Sequence, residues 1–541
     1  MQSPGVKRFL ALLATGMIGA CGGGGSTDGS SGGTGESAEI PGETDIVGSV
    51  AQMEKGDIIL LPFSDGQATL SFSGSVSSAE YMLIVQSAEQ SAGSTSVSLG
   101  DLGAPLTGLG KALENDTESD LQTEFEGILR AAEEELAVTD EEAMQPSIGK
   151  AIDASVSVGD RSTFRVLSSL TSTTAYKEAS ATAKCVNSRV ALYADDAIDQ
   201  NLPGVMERDD YETLCNQFQT GLDTTFSVLG DPPDINGDSA IKVYMTTQVN
   251  ALGASGGGIV TGFFFAGDLL RRTGSNPASN EQEIVYVLAP DPNGVYGTKL
   301  SKEFTMGNLL TAVVPHEVQH LLSYYHHVIV NGGNSEATWL NEALSHQIED
   351  NSGFGQENPS RAALYLQTPA ESPVITSGSP DLSERGASYL FLRYLYEQAG
   401  SRGDAFLKSL VQSSSTGVDN IISSYGTDTA EFNEFAEFIR RWGVAIATTD
   451  ASVTTDARYT YKARGKNGTT GHWHGVCLKC DADDGRATVL TGPTTAAYTA
   501  GGSITLKAGS SAFYTFSAVP DTVILNGAKG ASLQGILVRT K

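Results

Sequence analysis

Apolar and polar residues alternate over residues 57–88, and glycine and serine separate the alternating runs. The segment 68–72, with the sequence ATLSF, shows this two-residue period. Such alternation is typical of short β-strands that bury one face. A similar strand-like pattern occurs again at residues 161–169. The pattern predicts an N-terminal β domain over residues 45–173.

The last part of the chain repeats this β-like pattern. From about residue 451 to residue 541, short apolar runs are separated by glycine and asparagine, and one run is 512–517, with the sequence AFYTFS. Aromatic and β-branched residues favour strands because they pack well on a pleated surface. We expect a small C-terminal β domain over residues 449–541, which either binds substrate or packs against the rest of the protein.

An acidic segment interrupts the N-terminal β region. Residues 111–142 contain 12 acidic and 2 basic residues. Five apolar residues of this segment share one face of a helix. They are Leu121, Phe125, Ile128, Leu129 and Leu136. The pattern predicts an amphipathic helix within a solvated acidic insertion over about residues 104–150, and it favours that structure over a metal-binding role.

The middle of the chain has a different pattern. Residues 241–246 and 283–288 are short, largely apolar runs rich in β-branched and aromatic residues, which predicts strands of a sheet. Helical periodicity dominates residues 306–442. These features predict a central domain over residues 174–448, and a chain of 541 residues is long enough for several domains. The expected fold class is multidomain α+β.

The N-terminus has the order of residues found in export signals. Lys7 and Arg8 precede the apolar run 9–19, which is too short to span a bilayer. We predict a signal peptide over residues 1–20. The sequence IGAC at 18–21 resembles the lipobox of bacterial lipoproteins, in which the cysteine is lipidated and becomes the mature N-terminus. The alternative is an ordinary signal peptide followed by an incidental cysteine.

A lipid on Cys21 would anchor the protein to a membrane. Residues 22–35 consist mostly of glycine, serine and threonine, so residues 21–44 are expected to act as a flexible tether. The resemblance implies an exported protein of the bacterial cell envelope, held at the outer membrane or the cell surface.

Charge restricts the possible partners. The chain has 34 lysine and arginine residues and 64 aspartate and glutamate residues, which gives a net charge of -30. This charge argues against binding to nucleic acid and against direct binding to an anionic bilayer. No other apolar run reaches the 18 or so residues that a membrane-spanning helix requires. We therefore expect a monomer that contacts the membrane only through the lipid at Cys21.

The remaining four cysteines suit an oxidising compartment, and their even number allows three disulfide connectivities. They are Cys185, Cys215, Cys477 and Cys480. We favour the pairs Cys185–Cys215 and Cys477–Cys480. The second pair lies in the sequence HWHGVCLKC at 472–480, which alternatively forms a structural zinc site. Export favours the disulfide because it favours oxidation.

The segment 316–320, with the sequence HEVQH, is the most informative part of the chain. If residues 309–325 form a helix, His316 and His320 project from one face, with Glu317 between them. Catalytic zinc takes three protein ligands and a water, which needs a carboxylate as general base. The motif predicts zinc on the two histidines and Glu317 as the base. The structural alternative is a pair of core histidines on an amphipathic helix.

A third zinc ligand is expected downstream. The metzincin continuation HxxGxxH requires glycine where this chain has Ser323, so that family is excluded. The segment 339–350, with the sequence WLNEALSHQIED, resembles the second-helix motif of glutamate-ligand zincins, or gluzincins, such as thermolysin. This segment, the HEVQH motif and the segment 385–395, with the sequence RGASYLFLRYL, are similar to the hyicolysin-type family of secreted bacterial metallopeptidases. The likeness covers about residues 230–400.

The resemblance implies a zincin-type, thermolysin-like catalytic domain between the two flanking β domains. It implies Glu342 as the third zinc ligand. It also implies that the strands before the active-site helix form a sheet whose edge lines the cleft, where an extended peptide can add as a further strand. The expected activity is that of a zinc-dependent endopeptidase with protein or peptide substrates.

Two of the chain's departures from gluzincin patterns concern residues that could assist catalysis. Thermolysin-like enzymes carry an aspartate four residues after the ligand glutamate, where it orients a zinc-bound histidine, and here that position holds His346. Glu349 continues the same helical face, so either residue is a candidate for that role or for stabilising the transition state. Aminopeptidase-like gluzincins have a tyrosine two residues before a Lys-Gly pair, but Ser383 precedes the Arg-Gly pair 385–386 here. His346 and Tyr389 are therefore the candidate oxyanion donors.

Residues 234–238, with the sequence DINGD, resemble the start of a calcium-binding loop. The glycine at the sixth position and the glutamate at the twelfth position of such a loop are absent, so the pattern favours a turn over a calcium site.

Two other functions remain open from the sequence. One is a surface-binding or adhesion lipoprotein whose β domains carry the function and whose zincin domain is vestigial. The other is a zinc aminopeptidase, which needs an acidic motif that binds the free amine upstream of HEVQH, such as GxMEN, and the chain contains none.

Overall fold

The computed structural model describes residues 44–100, 121–138, 155–426, 434–462, 464–479 and 488–541. The predicted signal peptide, the lipidation residue Cys21 and Cys480 lie outside these ranges. Of the predicted acidic insertion, only residues 121–138 are described. Within the described ranges, none of the helices is both long and apolar enough to cross a lipid bilayer.

Strands from the two ends of the chain form two sheets together. The strands are β1 Ile58–Pro62, β2 Gln67–Ser71, β3 Tyr81–Ser87, β4 Ser94–Leu99, β13 Thr495–Ala497, β14 Ser503–Lys507, β15 Ser511–Thr515, β16 Thr522–Gly527 and β17 Leu533–Arg539. One sheet has the order β1-β17-β3-β15-β13, and the other has the order β14-β4-β16-β2. Every neighbouring pair in these two sheets except β15 and β13 therefore joins an N-terminal strand to a C-terminal one.

The two sheets share one apolar core. Leu537 of β17 lies opposite Leu83 of β3 in an antiparallel pair, and both side chains are fully buried. Val97 of β4 and Leu525 of β16 belong to the same cluster. This corrects the expected division into separate N-terminal and C-terminal β domains. The alternation of residues shows which face of a strand is buried, but it does not show which distant strand lies beside it.

Another sheet forms the centre of the molecule. Its strands are β5 Arg161–Leu167, β6 Tyr176–Val186, β7 Val190–Asp195, β8 Ile241–Thr246, β9 Gly262–Phe264 and β10 Ile284–Leu288. The order is β5-β6-β7-β8-β10-β9, so β9 is an edge strand, antiparallel to β10. The strands predicted at 241–246 and 283–288 are confirmed almost to the residue. The predicted boundary after residue 173 is corrected, because it separates β5 from β6, its antiparallel partner.

Ten α-helices of nine or more residues occur in the described ranges. They are α1 Leu121–Val138, α2 Arg208–Leu229, α3 Thr247–Gly256, α4 Thr311–Tyr324, α5 Thr338–Asn351, α6 Asn358–Gln367, α7 Leu382–Gln398, α8 Gly403–Val411, α9 Gly417–Tyr425 and α10 Phe435–Thr448. The π-helical segments Thr305–Leu310 and Tyr325–Val330 flank α4. Helices α2, α4, α5 and α7 share the largest apolar core, whereas α1 and α3 contribute to a second core around Phe263 and Tyr286.

A disulfide joins Cys185 of β6 to Cys215 of α2, which confirms that predicted pair. The predicted pair Cys477–Cys480 includes Cys480, which is not among the described residues. Short strand pairing between Gly465–Lys466, β11, and Trp473–His474, β12, lies just before Cys477.

The candidate calcium segment forms a turn held by internal bonds. Asp234 accepts hydrogen bonds from the backbone N–H and the hydroxyl of Ser239, and Asp238 pairs with Lys242. These carboxylates are thus already paired with protein donors, which agrees with the turn that the sequence favours.

Candidate metal centre

Helix α4 presents His316 and His320 on one face, as the spacing of the motif predicts. Their ring centroids are 4.9 Å apart. Helix α5 packs against α4 and brings Glu342 to the same place. The Nε2 atom of His316 lies 3.5 Å from Oε2 of Glu342, and Nε2 of His320 lies 3.5 Å from Oε1. The structure thus brings the three predicted ligands together.

The spacing of these donor atoms fits a metal ion. In a tetrahedral site with bonds of about 2.1 Å, neighbouring ligand atoms lie about 3.4 Å apart. Nε2 of His316 and Oε1 of Glu342 are buried and have no hydrogen-bond partner among the described residues. Buried polar atoms without partners are costly, and a bound cation would satisfy both. The buried group of His316, His320 and Glu342 can therefore hold a metal ion.

Charges around the centre favour an ionised Glu342. Burial opposes ionisation, but the guanidinium of Arg385 and the two histidines hold the pKa of Glu342 well below its usual range. Nη1 of Arg385 lies 2.7 Å from Oε2 of Glu342. Burial, reinforced by Arg130, lowers the pKa of His320 and keeps it neutral. A carboxylate and a neutral imidazole are the forms that coordinate a metal.

Glu317 lies beside these ligands, with its carboxylate held by the edge strand. Its Oε2 atom accepts a hydrogen bond of 2.9 Å from the backbone N–H of Phe264 in β9. Burial raises the pKa of Glu317 to about 7, and Glu126 adds to this effect, while His316 opposes it. A carboxyl with a pKa near 7 can both accept and return a proton at neutral pH.

Glu349 of α5 contacts two histidines. Its Oε1 atom lies 2.7 Å from Nδ1 of His316 and 3.1 Å from Nδ1 of His346. Burial lowers the pKa of His316, but Glu342 and Glu349 outweigh burial and raise it to about 10, so a metal ion would have to displace a proton from this imidazole. Burial lowers the pKa of His346 to about 4, so this imidazole is neutral near pH 7. Glu349 thus holds the nitrogen of His316 that faces away from Glu342.

The sequence did not predict that four charged residues lie buried at the centre: Glu126, Arg130, Glu133 and Arg385. The first three belong to α1, the helix expected in a solvated insertion. Phe125 and Leu129 are buried as predicted, but Glu126, Arg130 and Glu133 are only 2–5% exposed. The sequence contains one indication that these three charged residues lie together, because they recur at spacings of four and three beside the apolar face of the helix. That spacing predicts a charged stripe next to the buried one, although it does not say what the stripe contacts.

Tyr389 lies in a different environment from the metal centre. It is buried on α7, and its hydroxyl interacts with Asp350. Tyr389 lines a small cavity together with Arg464 and Trp473, and no residue of the candidate metal centre lines that cavity. Its expected part as an oxyanion donor remains a prediction.

Comparison of the chain with protein-family models finds no match, and neither does comparison with curated proteins.

Proposed function

We propose that the protein is a zinc-dependent endopeptidase. The observation that carries the proposal is the convergence of two imidazole nitrogens and one carboxylate at 3.5 Å, with the carboxylate of Glu317 alongside. Two nitrogen ligands and one oxygen ligand form a donor set used by catalytic zinc. The resemblance of the HEVQH and WLNEALSHQIED segments to gluzincins supports the same activity.

In the proposed mechanism, His316, His320 and Glu342 would hold a zinc ion. Zinc bound there would supply Lewis-acid chemistry, by acidifying a water ligand and polarising the scissile carbonyl group. Glu317 takes the proton of the attacking water and passes it to the leaving amine. The hydrogen bond from Phe264 fixes one carboxylate oxygen of Glu317, which leaves Oε1 to exchange the proton.

Glu349 acts as a positioning residue in this mechanism. A carboxylate on Nδ1 of a histidine ligand fixes the tautomer that presents Nε2 to a metal. Glu349 also accepts from Nδ1 of His346, and a neutral imidazole with its hydrogen on Nδ1 has only a lone pair on Nε2. An oxyanion donor needs a hydrogen at that atom. The contacts of His346 therefore favour a positioning role over an oxyanion role.

Digestion of a peptide library, read by mass spectrometry, tests the proposed activity. Internal cleavage that depends on added zinc is the expected result, whereas removal of single N-terminal residues would identify an aminopeptidase. Glu317→Gln is the matched control, because glutamine can still accept the hydrogen bond from Phe264 but cannot take a proton. We expect this variant to bind zinc normally and to turn over about 100- to 10,000-fold more slowly. Equal cleavage by the variant would contradict the role of Glu317.

We further propose that the enzyme is exported and anchored through a lipid on Cys21. The order of residues from Lys7 to Cys21 supports this location. Cys21→Ser should move the protein from the membrane fraction to the soluble fraction, because it removes the only thiol at the expected mature N-terminus. Wild-type protein in the soluble fraction would contradict the anchor.

A further inference from the structure

Helix α1 lies over the candidate metal centre and the edge strand β9. The side chains of His316, His320, Glu317 and Glu342 are between 0% and 6% exposed in its presence. A peptidase must admit an extended chain of several residues to its metal. We propose that α1 is an autoinhibitory segment that occupies the substrate cleft, and that it must leave before a peptide can bind. This inference rests on the proposed peptidase function.

The side chains of α1 bond to the outward backbone groups of the edge strand. Oε1 of Gln122 accepts from the N–H of Thr261 at 2.9 Å, and its Nε2 donates to the carbonyl of Gly262 at 2.9 Å. Nη2 of Arg130 lies 3.5 Å from the carbonyl of Phe264. An added peptide strand would bond to such groups. The primary amide of Gln122 therefore takes the place of a peptide group of the substrate.

The same helix reaches the catalytic groups directly. Glu126 has a carboxylate oxygen within 4.8 Å of ligand atoms of His316 and Glu317. It also pairs with Arg385, the residue that bonds to Glu342. Arg385 thus connects a residue of the helix to a proposed zinc ligand. Phe125 adds an apolar contact, since its ring packs edge-on against Phe263 of β9 with centroids 5.3 Å apart.

Some of the charges that α1 buries are poorly satisfied. Nη1 of Arg130 lies 2.8 Å from Oε1 of Glu133, but neither atom makes a well-aligned hydrogen bond. Burial raises the pKa of Glu133 to about 7. Buried ion pairs lose much of their attraction to the cost of removing them from water. Release of α1 rehydrates these groups, which lowers the free-energy cost of opening.

The connections of α1 to the rest of the chain are long in sequence. Residues 101–120 and 139–154, which are not described, join it to β4 and to the segment before β5. The shorter connection has 16 residues, which can span up to about 50 Å. The helix can therefore leave the cleft without breaking the chain.

A disulfide clamp provides the test. A Cβ atom built on Gly127 of α1 would lie 3.2 Å from Cβ of Ser379, which is just before α7. Disulfides need about 3.5–4.5 Å between these atoms, so a small shift allows the bond in a Gly127→Cys/Ser379→Cys variant. The two single variants are the matched controls, and wild type in the same mild reductant controls for the bond between Cys185 and Cys215.

Two measurements are made on the zinc-loaded protein: peptide cleavage, and the rate at which a chelator removes zinc. In the oxidised double variant we expect both to fall at least about 10-fold, and reductant to restore them. Equal cleavage in the oxidised and reduced forms would overturn the proposal. A different outcome is that zinc leaves more slowly from the clamped form but wild type cleaves no peptide. This result would support the movement of α1 and contradict the proposed peptidase function.

A second variant does not depend on disulfide formation. Gln122→Ala removes the hydrogen bonds of Gln122 to Thr261 and to Gly262, so it should raise kcat/KM and the rate of zinc removal by about 5-fold or more. Glu134→Ala, at an exposed position of the same helix, is its control and should change neither. Lower activity in Gln122→Ala with unchanged zinc removal would overturn the proposal, because α1 would then be part of the working site.

Discussion

Two of the buried histidine–glutamate contacts among the described residues of the central domain differ in whether they could hold a metal ion. In the first, His316, His320 and Glu342 converge. In the second, Nε2 of His327 lies 3.8 Å from Oε2 of Glu336. Both glutamates are almost completely buried, at 0% for Glu342 and 5% for Glu336. Burial therefore does not distinguish the two groups.

The difference lies in how the polar atoms are satisfied. Oε1 of Glu336 accepts from the backbone N–H groups of Ala337 and Gly417, and Oε2 accepts from the side-chain amide of Asn420. Nε2 of His327 bonds to the carbonyl of Leu410 at 3.0 Å. These bonds connect the chain after α4 to helices α8 and α9.

Nδ1 of His327 also has no hydrogen-bond partner among the described residues, but it belongs to no group of three candidate ligands. The metal centre instead leaves unpaired atoms from two different helices close to one another. Hydrogen bonds that satisfy both oxygens of a buried carboxylate, as at Glu336, stabilise a fold. Unpaired ligand atoms that lie close together are costly unless a ligand binds between them. The convergence of unpaired atoms, and not the residue types, marks the candidate site.

The largest effect that separates the two groups is expected on zinc affinity. Glu342→Gln removes a charged ligand and should weaken zinc binding by at least about 100-fold, because two histidines alone hold the metal poorly. Glu336→Gln is the matched control, since it makes the same change in the closed network and should leave zinc affinity unaltered. Competition with a chelating dye measures both constants. Equal zinc affinity in the two variants would contradict the assignment of Glu342 as a ligand.

A smaller effect on zinc affinity is expected from the residue behind His316. Glu349→Gln cannot hold Nδ1 of His316 as a carboxylate does, so zinc affinity should fall roughly 10- to 100-fold. Asp350→Asn is the control, because Asp350 is a buried carboxylate on the same helix that pairs with Arg393 instead. The same dye competition measures the difference. If both variants weaken zinc binding equally, the loss reflects damage to α5 rather than the contact with His316.

The sequence predicted the parts of the site that depend on local spacing. His316, Glu317 and His320 share one helical turn, and Glu342 lies in a second recognisable motif, so their meeting could be anticipated from residue order. Export and the number of cysteines predicted disulfides and left three connectivities, of which the favoured pair Cys185–Cys215 is confirmed. Strands β8 and β10 were evident because buried central strands consist of nearly continuous apolar runs.

Contacts between distant segments could not be predicted in this way. The apolar run of β3 is equally compatible with neighbours before or after it in the sequence, so its pairing with β15 and β17 could not be predicted. The apolar face of α1 predicted that the helix packs, but not that it packs over the metal centre. Arg385 was noticed only for its position after Ser383, because a single arginine carries no sign of the two carboxylates that it will join.

The smallest effect in the comparison concerns stability and pH. Burial raises the pKa of Glu336 to about 7 from 4.5, although its hydrogen-bond donors oppose the shift. A carboxyl whose pKa is higher in the folded than in the unfolded protein stabilises the fold fully below the unfolded value, and this contribution is lost as the pH rises through the folded value. Glutamine does not titrate. Glu336→Gln should therefore be less stable than wild type by about 1–3 kcal/mol near pH 5, with a deficit that shrinks as the pH rises through about 7.

Denaturant unfolding of both proteins at a series of pH values measures this difference. His327 has the opposite dependence, because burial lowers its pKa to about 4 and its contribution is lost as the pH falls. That contribution is present in wild type and variant alike, so it cancels when the two free energies of unfolding are subtracted. A deficit that stays constant with pH would show that Glu336 is ionised throughout. The hydrogen-bond donors around Glu336 would then lower its pKa more than burial raises it. The two groups would differ only in the geometry of their polar atoms.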